Sequence, residues 1–322
     1  MKYGLLTYTE NKKTFNIGDY IQSLAAKQFL PQVDTFINRD KLSNYDGELV
    51  KIILNGWFTH NVHNWVPSSK INPLFISFHL NNTAAPYMLN EKGTAYLKKH
   101  QPIGCRDKYT EKILKMKGID AYFSGCLTLT LDSYKVNDED RTNNIYIVDP
   151  LYNFPSKEKI FYNKKRLVKS FFSRDIFKLN KKQSVLKKIL SPELLNTATY
   201  VTQVLPANTY SEKEKFEIAE NLLHKYAKAK LIITSRIHAA LPALALGTPV
   251  IFINGFDSFV DTSRFDGIIE LFNRIDISAD GDISNNFNHK GLITPDISIQ
   301  NLEKHIVLAE KMKKSCNKFI DQ

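Results

Sequence analysis

The sequence has no uncharged apolar run approaching the roughly 18 to 20 residues that a membrane-spanning helix needs. Its start, MKYGLLTYTENKKTFN, lacks the long apolar region and small-residue cleavage site of a secretion signal. Both absences predict a chain that stays in the cytoplasm. The three cysteines, Cys105, Cys126 and Cys316, are far apart and form no C-x-x-C pair, so neither a disulfide framework nor a zinc or redox pair is implied, and buried, reduced thiols are expected. A G-x-G-x-x-G fingerprint and a Walker phosphate loop are also missing, which removes support from dinucleotide cofactors and ATP. Acidic residues are in deficit: 33 Asp and Glu stand against 44 Lys and Arg, a formal charge of +11. Between Lys157 and Lys188, 12 Lys and Arg face only Glu158 and Asp175, so this one stretch carries nearly the whole excess.

What is present fits a globular protein of two domains: 322 residues, 43% hydrophobic and 24% charged. KYGLLTY, VDTFIN, KIILNGW, PLFISFHL, PIGC and AYFSGC are short, apolar and bounded by turn residues, the pattern of strands. IGDYIQSLAAKQFL has apolar positions at helical spacing from Ile17 to Leu30, and further helices are expected at about 90–99 and 108–117. The polar SYKVNDEDRTNN precedes a second series: NIYIVDP, ATYVTQVLP, KLIITS and PVIFI as strands, SEKEKFEIAENLLHKYAKA and RIHAALPALALG as helices. Ser211 and Glu214 are spaced as a capping box. This alternation predicts an α/β fold of two Rossmann-like parallel-sheet domains facing across a cleft, residues 1–140 and 141–322. The second includes the basic insertion 157–188 and a final amphipathic helix, SIQNLEKHIVLAEKMKKSCNKFI, able to pack back across the domains.

Such sheets bind ligands beyond the carboxyl ends of their strands. In ITSRIHAALPALALGTPV, Ser235, Arg236, Ile237 and His238 occupy the loop and first turn after a strand. A helix N-terminus attracts anions, so cations placed there imply an anionic partner: a bound phosphate or carboxylate, or simply an acidic side chain of the other domain, with His238 a core histidine. Arg106 likewise follows the strand PIGC, with Asp107 as helix cap or ion-pair partner, and Ser124, Gly125 and Thr128 follow AYF. In NIGD, Asn16 and Gly18 precede a helix, the glycine permitting close backbone approach, while Asp19 either caps that helix or accepts a proton from a bound hydroxyl. His60, His63 and His79 raise a metal site, but no carboxylate or cysteine lies nearby at ligand spacing, and no metal is expected. The basic stretch reads as a solvated loop, an amphipathic membrane-surface element, or a nucleic-acid surface lacking any recognised motif.

NIGD, NGWF, FISFHL, PIGCRDKYT, YFSGCLTLTL, NIYIVDP and ITSRIHAALPALALGTPVI, in this order over residues 2–253, together resemble the polysaccharide pyruvyltransferase family. The resemblance implies a GT-B-like fold and transfer of a pyruvyl group from phosphoenolpyruvate to two hydroxyls of a sugar. The product would be a cyclic ketal on a cell-surface or capsular polysaccharide precursor, with phosphate released and no cofactor. It implies Arg236 and His238 as donor-site residues, joined by Arg106 from the other domain, with Ser235 and Ile237 beside them. The pKa of an imidazole near working pH then makes His238 a general acid or an aid to phosphate departure, and Asp19 is the weaker candidate for the base. Asn16, Gly18, Asn55, Gly56, Ser124 and Gly125 become cleft or acceptor residues, with the bulky LNGWFTH where many members carry a glycine-rich turn. A sugar acceptor linked to a lipid diphosphate would give residues 157–188 a natural partner at the inner face of the membrane. The competing readings are a nucleotide-sugar glycosyltransferase of the same architecture and a non-catalytic polysaccharide assembly factor.

Overall fold

A computed structural model describes residues 1–8, 13–57 and 59–322; residues 9–12, within the polar TENKKTFN expected as a loop after the first strand, and Phe58 of NGWF lie outside the described residues. The first half runs β1 (Lys2–Thr7), β2 (Thr14–Asn16), α1 (Ile17–Lys27), β3 (Thr35–Asn38), β4 (Val50–Trp57), β5 (Ile71–His79), α2 (Ala85–Met88), α3 (Glu91–Lys99), β6 (Ile103–Cys105), α4 (Lys108–Met116) and β7 (Ala121–Phe123). The second continues with β8 (Ile145–Val148), α5 (Lys157–Ile160), α6 (Lys164–Phe172), α7 (Lys182–Ile189), α8 (Pro192–Thr197), β9 (Thr199–Val201) and β10 (Val204–Pro206). It closes with α9 (Glu212–Ala227), β11 (Leu231–Thr234), α10 (Ile237–Ala245), β12 (Val250–Asn254), β13 (Asn273–Ile277), β14 (Ile283–Asn285) and α11 (Lys304–Asp321).

Two six-stranded sheets result, ordered β3-β1-β4-β5-β6-β7 and β14-β13-β12-β11-β8-β9. All neighbours are parallel except β13 and β14. This is the GT-B-like α/β arrangement, and strands buried on both faces explain why KIILN and FISF carry apolar residues without alternation. In the second sheet, β8 sends its connection to β9 on one side while β11 lies on the other, so the strand order reverses between β8 and β11. That reversal opens a crevice beyond the carboxyl ends of these two strands.

ATYVTQVLP, expected as one strand, is two. β9 ends the second sheet, whereas β10 leaves it to pair antiparallel with β2, Val204 opposite Asn16 and Pro206 opposite Thr14. Gln203 makes the break. Its N–H donates to Asp149 Oδ2 at 2.9 Å, and its carbonyl accepts from Ile17 N at 2.8 Å, which ties the second half to the start of α1. The basic stretch, for which a solvated loop was one reading, folds into α5, α6 and α7, the first two capped by Ser156 and Asn163. Ser211 and Glu214 form the expected capping box.

One apolar core runs through both sheets, and a smaller one lies on the far face of the second. α10 is at its centre: Ala239, Ala240, Leu241 and Ala243 are all fully buried, as its lack of a polar face demands. α11 packs on α10 and on the first half, burying Ala309, Met312 and Cys316. Buried Lys51 donates to the carbonyls of Phe319 and Ile320, at 2.9 and 3.3 Å, holding the last turn of that helix against β4. All three cysteines are buried thiols.

Candidate active site

A cavity of about 470 Å³ opens where the two sheets point their strand ends at each other; it is lined from the first half by Asn16, Asp19, Gln22, Trp57, His60, His79, Asn81 and Arg106. From the second half come Tyr152, Gln203, Arg236, Ile237, His238, Asp261 and Arg264. Its polar groups are therefore delivered by strand ends and helix starts.

Arg236 is the N-cap residue of α10 and makes no side-chain capping bond. Its Nε instead donates to Asp149 Oδ2 at 2.9 Å, and its guanidinium lies 3.7 Å from the Tyr152 ring centre. The acidic partner therefore comes from the same half of the chain, not from the other domain as one alternative had it, and it engages the inner edge of the fork, leaving Arg236 on the cavity wall. Asp149 follows β8 directly and Arg236 follows β11, the two strands at the reversal. Asp149 has φ +41°, a left-handed backbone that Asp tolerates better than most residues. The Tyr152 hydroxyl accepts from Arg264, so one tyrosine orders two arginines.

Arg106 enters from β6 and is 2% exposed. Asp107 caps α4 through Thr110 N at 2.8 Å and also takes His79 Nδ1 at 2.6 Å, while its Oδ2 stands 3.9 Å from Arg106 Nε. Arg106 Nε, Arg264 Nε and His238 Nε2 are buried and have no hydrogen-bond partner among the described residues. Unpartnered buried donors are costly, about 1–3 kcal/mol each, unless something else satisfies them.

α10 contains Pro242, whose missing N–H would have bonded the His238 carbonyl. Gln203 Nε2 takes that carbonyl at 3.0 Å. On the other side, Gly18 brings α1 against His238 so closely that a Cβ there would sit 3.0 Å from His238 Cβ. Asn16 caps α1, accepting from Gly18 N at 3.1 Å, so the capping role open to Asp19 belongs to Asn16. Asp19 faces the cavity and accepts from Gln22 Nε2 at 3.2 Å.

Several expected residues lie elsewhere. Ser235 is fully buried, donating to Ile253 O and accepting from Leu151 N, a brace between strand ends with no hydroxyl to spare for a ligand. Ser124 donates to the Cys105 and Gly125 carbonyls, and Gly125 packs under Leu308 of α11, so neither reaches the cavity. Thr128 is buried, bonded to Cys126 Sγ. Asn55 is buried one layer behind, its amide on Gln22 O. Gly56, at φ +92°, leaves room for the Gln22 side chain, whose Oε1 would lie 2.3 Å from a Cβ. His60 stands edge-on to Trp57 and His63 to Tyr87, and among the described residues no cluster of three or more His, Cys, Asp or Glu could hold a metal.

Burial, with Arg106, Arg264 and Arg236 around it, holds the His238 pKa well below its ordinary value, so the ring is neutral. His79 is pushed down to about 4 by burial and Arg106, against the opposing pull of Asp107. Burial raises the Asp19 carboxyl, opposed by Arg39, His60, Arg106 and Arg236.

Residues 16–258, well over half of the chain and carrying all the cavity residues named above except Asp261 and Arg264, match the family described as polysaccharide pyruvyl transferase. The chain belongs to that family. Among curated proteins none matches. Among solved structures, a functionally uncharacterized protein of Klebsiella pneumoniae subsp. pneumoniae is similar over 81% of this chain and 87% of that one, at 11% identity and a TM-score of 0.41. The cavity of this family member has two contrasting walls. One is cationic, with Arg106, Arg236 and Arg264; the other holds Asp19, Gln22, Trp57 and His60.

Five residues that line or brace the cavity were not assigned to it from the sequence: His79, weighed there only as a metal ligand, and Asp149, Tyr152, Gln203 and Arg264. His79 and Asp149 end the segments FISFH and NIYIVD, so the strand-end rule that picked out Arg106 also covers them. Gln203 and Arg264 sit in loops with no pattern to mark them.

Proposed function

We propose that the protein transfers the pyruvyl group of phosphoenolpyruvate to two hydroxyls of a sugar in a cell-surface polysaccharide precursor, forming a cyclic ketal and releasing phosphate. The observation that carries this reading is the set of arginines on one cavity wall, with Arg106 Nε, Arg264 Nε and His238 Nε2 buried and unpartnered among the described residues. Phosphoenolpyruvate presents a carboxylate and a phosphate. Guanidinium groups entering from both halves, with the uncapped start of α10 at Ile237 and His238, suit two anionic ends held apart. A volume of about 470 Å³ takes this donor together with a sugar ring.

In the proposed sequence the donor's methylene carbon gains a proton, and cationic character develops at the carbon bearing the phosphate. A sugar hydroxyl attacks that carbon and loses its proton to Asp19, which burial makes a stronger base than an exposed carboxylate. The C–O bond to phosphate then breaks, a second hydroxyl closes the ring, and its proton leaves with the phosphate. Burial and the surrounding arginines hold the His238 pKa down. A dianionic donor beside it stabilises the imidazolium, so donor binding arms His238 as the acid. The sequence of steps balances without a redox cofactor.

The test is calorimetric titration with phosphoenolpyruvate and, separately, with nucleotide sugars, alongside phosphate release in the presence of acceptor sugars. Phosphoenolpyruvate is expected to bind, and Arg106→Ala or Arg236→Ala to weaken it at least about tenfold, the worth of one charged hydrogen bond. Binding of a nucleotide sugar without phosphoenolpyruvate would replace this reading with glycosyl transfer. Ketal formation at the wild-type rate by His238→Ala would remove the acid role.

A further inference from the structure

We propose that α6 and its flanking turns form a docking surface for an anionic lipid bilayer. Phe161, Tyr162, Val168, Phe171 and Phe177 are each more than half exposed, and Phe172 is 81% exposed. No other stretch of the described residues offers so many large apolar side chains to solvent together. Three of the rings are neighbours, Phe171 to Phe172 at 6.1 Å and Phe171 to Phe177 at 6.0 Å between centroids, an exposed aromatic cluster at the end of α6. Exposed Lys164, Lys165, Lys169 and Arg174 lie within the same helix and turn.

Apolar rings set among lysines are the composition of an interfacial element, in which the rings enter the acyl boundary and the cations meet anionic headgroups. Charge selects this occupant. A stretch of 12 cations against Glu158 and Asp175 repels a second copy of itself and attracts a polyanion. A lipid surface matches both parts of this patch at once, the acyl boundary taking the rings and the anionic headgroups the lysines.

The surface is also fastened to the rim of the cavity. Lys169 Nζ donates to Ser258 O at 2.7 Å, Lys159 pairs with Asp257 at 2.8 Å, and Ser258 N donates to Asp175 Oδ2 at 2.9 Å. The Phe259 ring, which lines the cavity, lies 5.1 Å from the Arg166 guanidinium and 5.4 Å from Lys169 Nζ. Docking through α6 therefore sets the cavity mouth at a fixed height above the headgroups. Resting on the pyruvyl-transfer reading, this makes the acceptor a sugar carried on a membrane lipid.

The full chain is sedimented with vesicles of mixed phosphatidylglycerol and phosphatidylcholine, and with phosphatidylcholine alone. Binding is expected to the mixed vesicles only, and to be lost in about 1 M salt, where screening shortens to about 3 Å. The pairs Phe171→Ser with Phe172→Ser and Lys164→Glu with Lys165→Glu should each reduce it at least about tenfold. Met116→Ser, an equally exposed change elsewhere, should leave it intact, and overlaid unfolding curves establish that all variants fold. Failure of the wild-type protein to sediment with anionic vesicles overturns the proposal. So does single-stranded RNA that displaces the vesicles and loses affinity in the same variants. Phosphate release with a soluble sugar should be unchanged in both pairs, so the docking and pyruvyl-transfer readings fail separately.

Discussion

Arg236 carries the argument at the scale of one residue. Its fork is divided: Nε holds Asp149 at 2.9 Å, the plane stacks on Tyr152 at 3.7 Å, and the remaining donors face the cavity. Lysine keeps the charge but has neither plane nor fork. Arg236→Lys is therefore expected to raise the KM for the donor about 10- to 100-fold, with the smaller effect on kcat, as steady-state kinetics would read directly. Arg236, His238 and Arg106 were legible because each sits where an apolar strand ends, a place that only needs the local pattern. Ser235 was misread for the same reason: the pattern marks the loop but does not say which of its side chains turns inward, and Ser235 turns to Ile253 and Leu151.

Among elements, the crossing between β9 and β10 decides the most. Gln203 satisfies Ile17 N and the His238 carbonyl that Pro242 releases, and is itself held by Asp149, so one side chain and its backbone join α1, α10 and β8. Gln203→Leu leaves the His238 carbonyl buried without a donor and is expected to cost about 1–3 kcal/mol, measured by urea unfolding. A change within about 0.5 kcal/mol would mean that water replaces the amide. From the sequence, ATYVTQVLP is a single apolar run, because nothing local distinguishes a strand from two strands that belong to different sheets. The pairing of β10 with β2 joins residues nearly two hundred positions apart, and periodicity carries no information at that range.

For the whole molecule, burial of charged and titrating groups between the halves couples stability to pH. His79 has a pKa lowered from 6.5 to about 4, so the unfolded chain binds the extra proton across that window and stability falls as pH drops through it. The loss from this residue approaches about 3 kcal/mol by the bottom of the window. Comparing unfolding near pH 7 and pH 4.5, His79→Gln should lose less than the wild-type protein by the share of His79 alone, the share of His238 remaining; an equal loss would place the dependence elsewhere. The sequence by itself determined the alternation of strands and helices, the buried character of α10, the surplus of cations in one stretch and the order of motifs that marks the family, because each is written in spacing or composition. The meeting of Arg106, Arg236 and Arg264 on one wall, Asn16 rather than Asp19 as cap, and the seating of α6 beside the cavity were decided only by the tertiary structure. These depend on which distant strand ends face one another, and that is set by how two sheets and a continuous core pack.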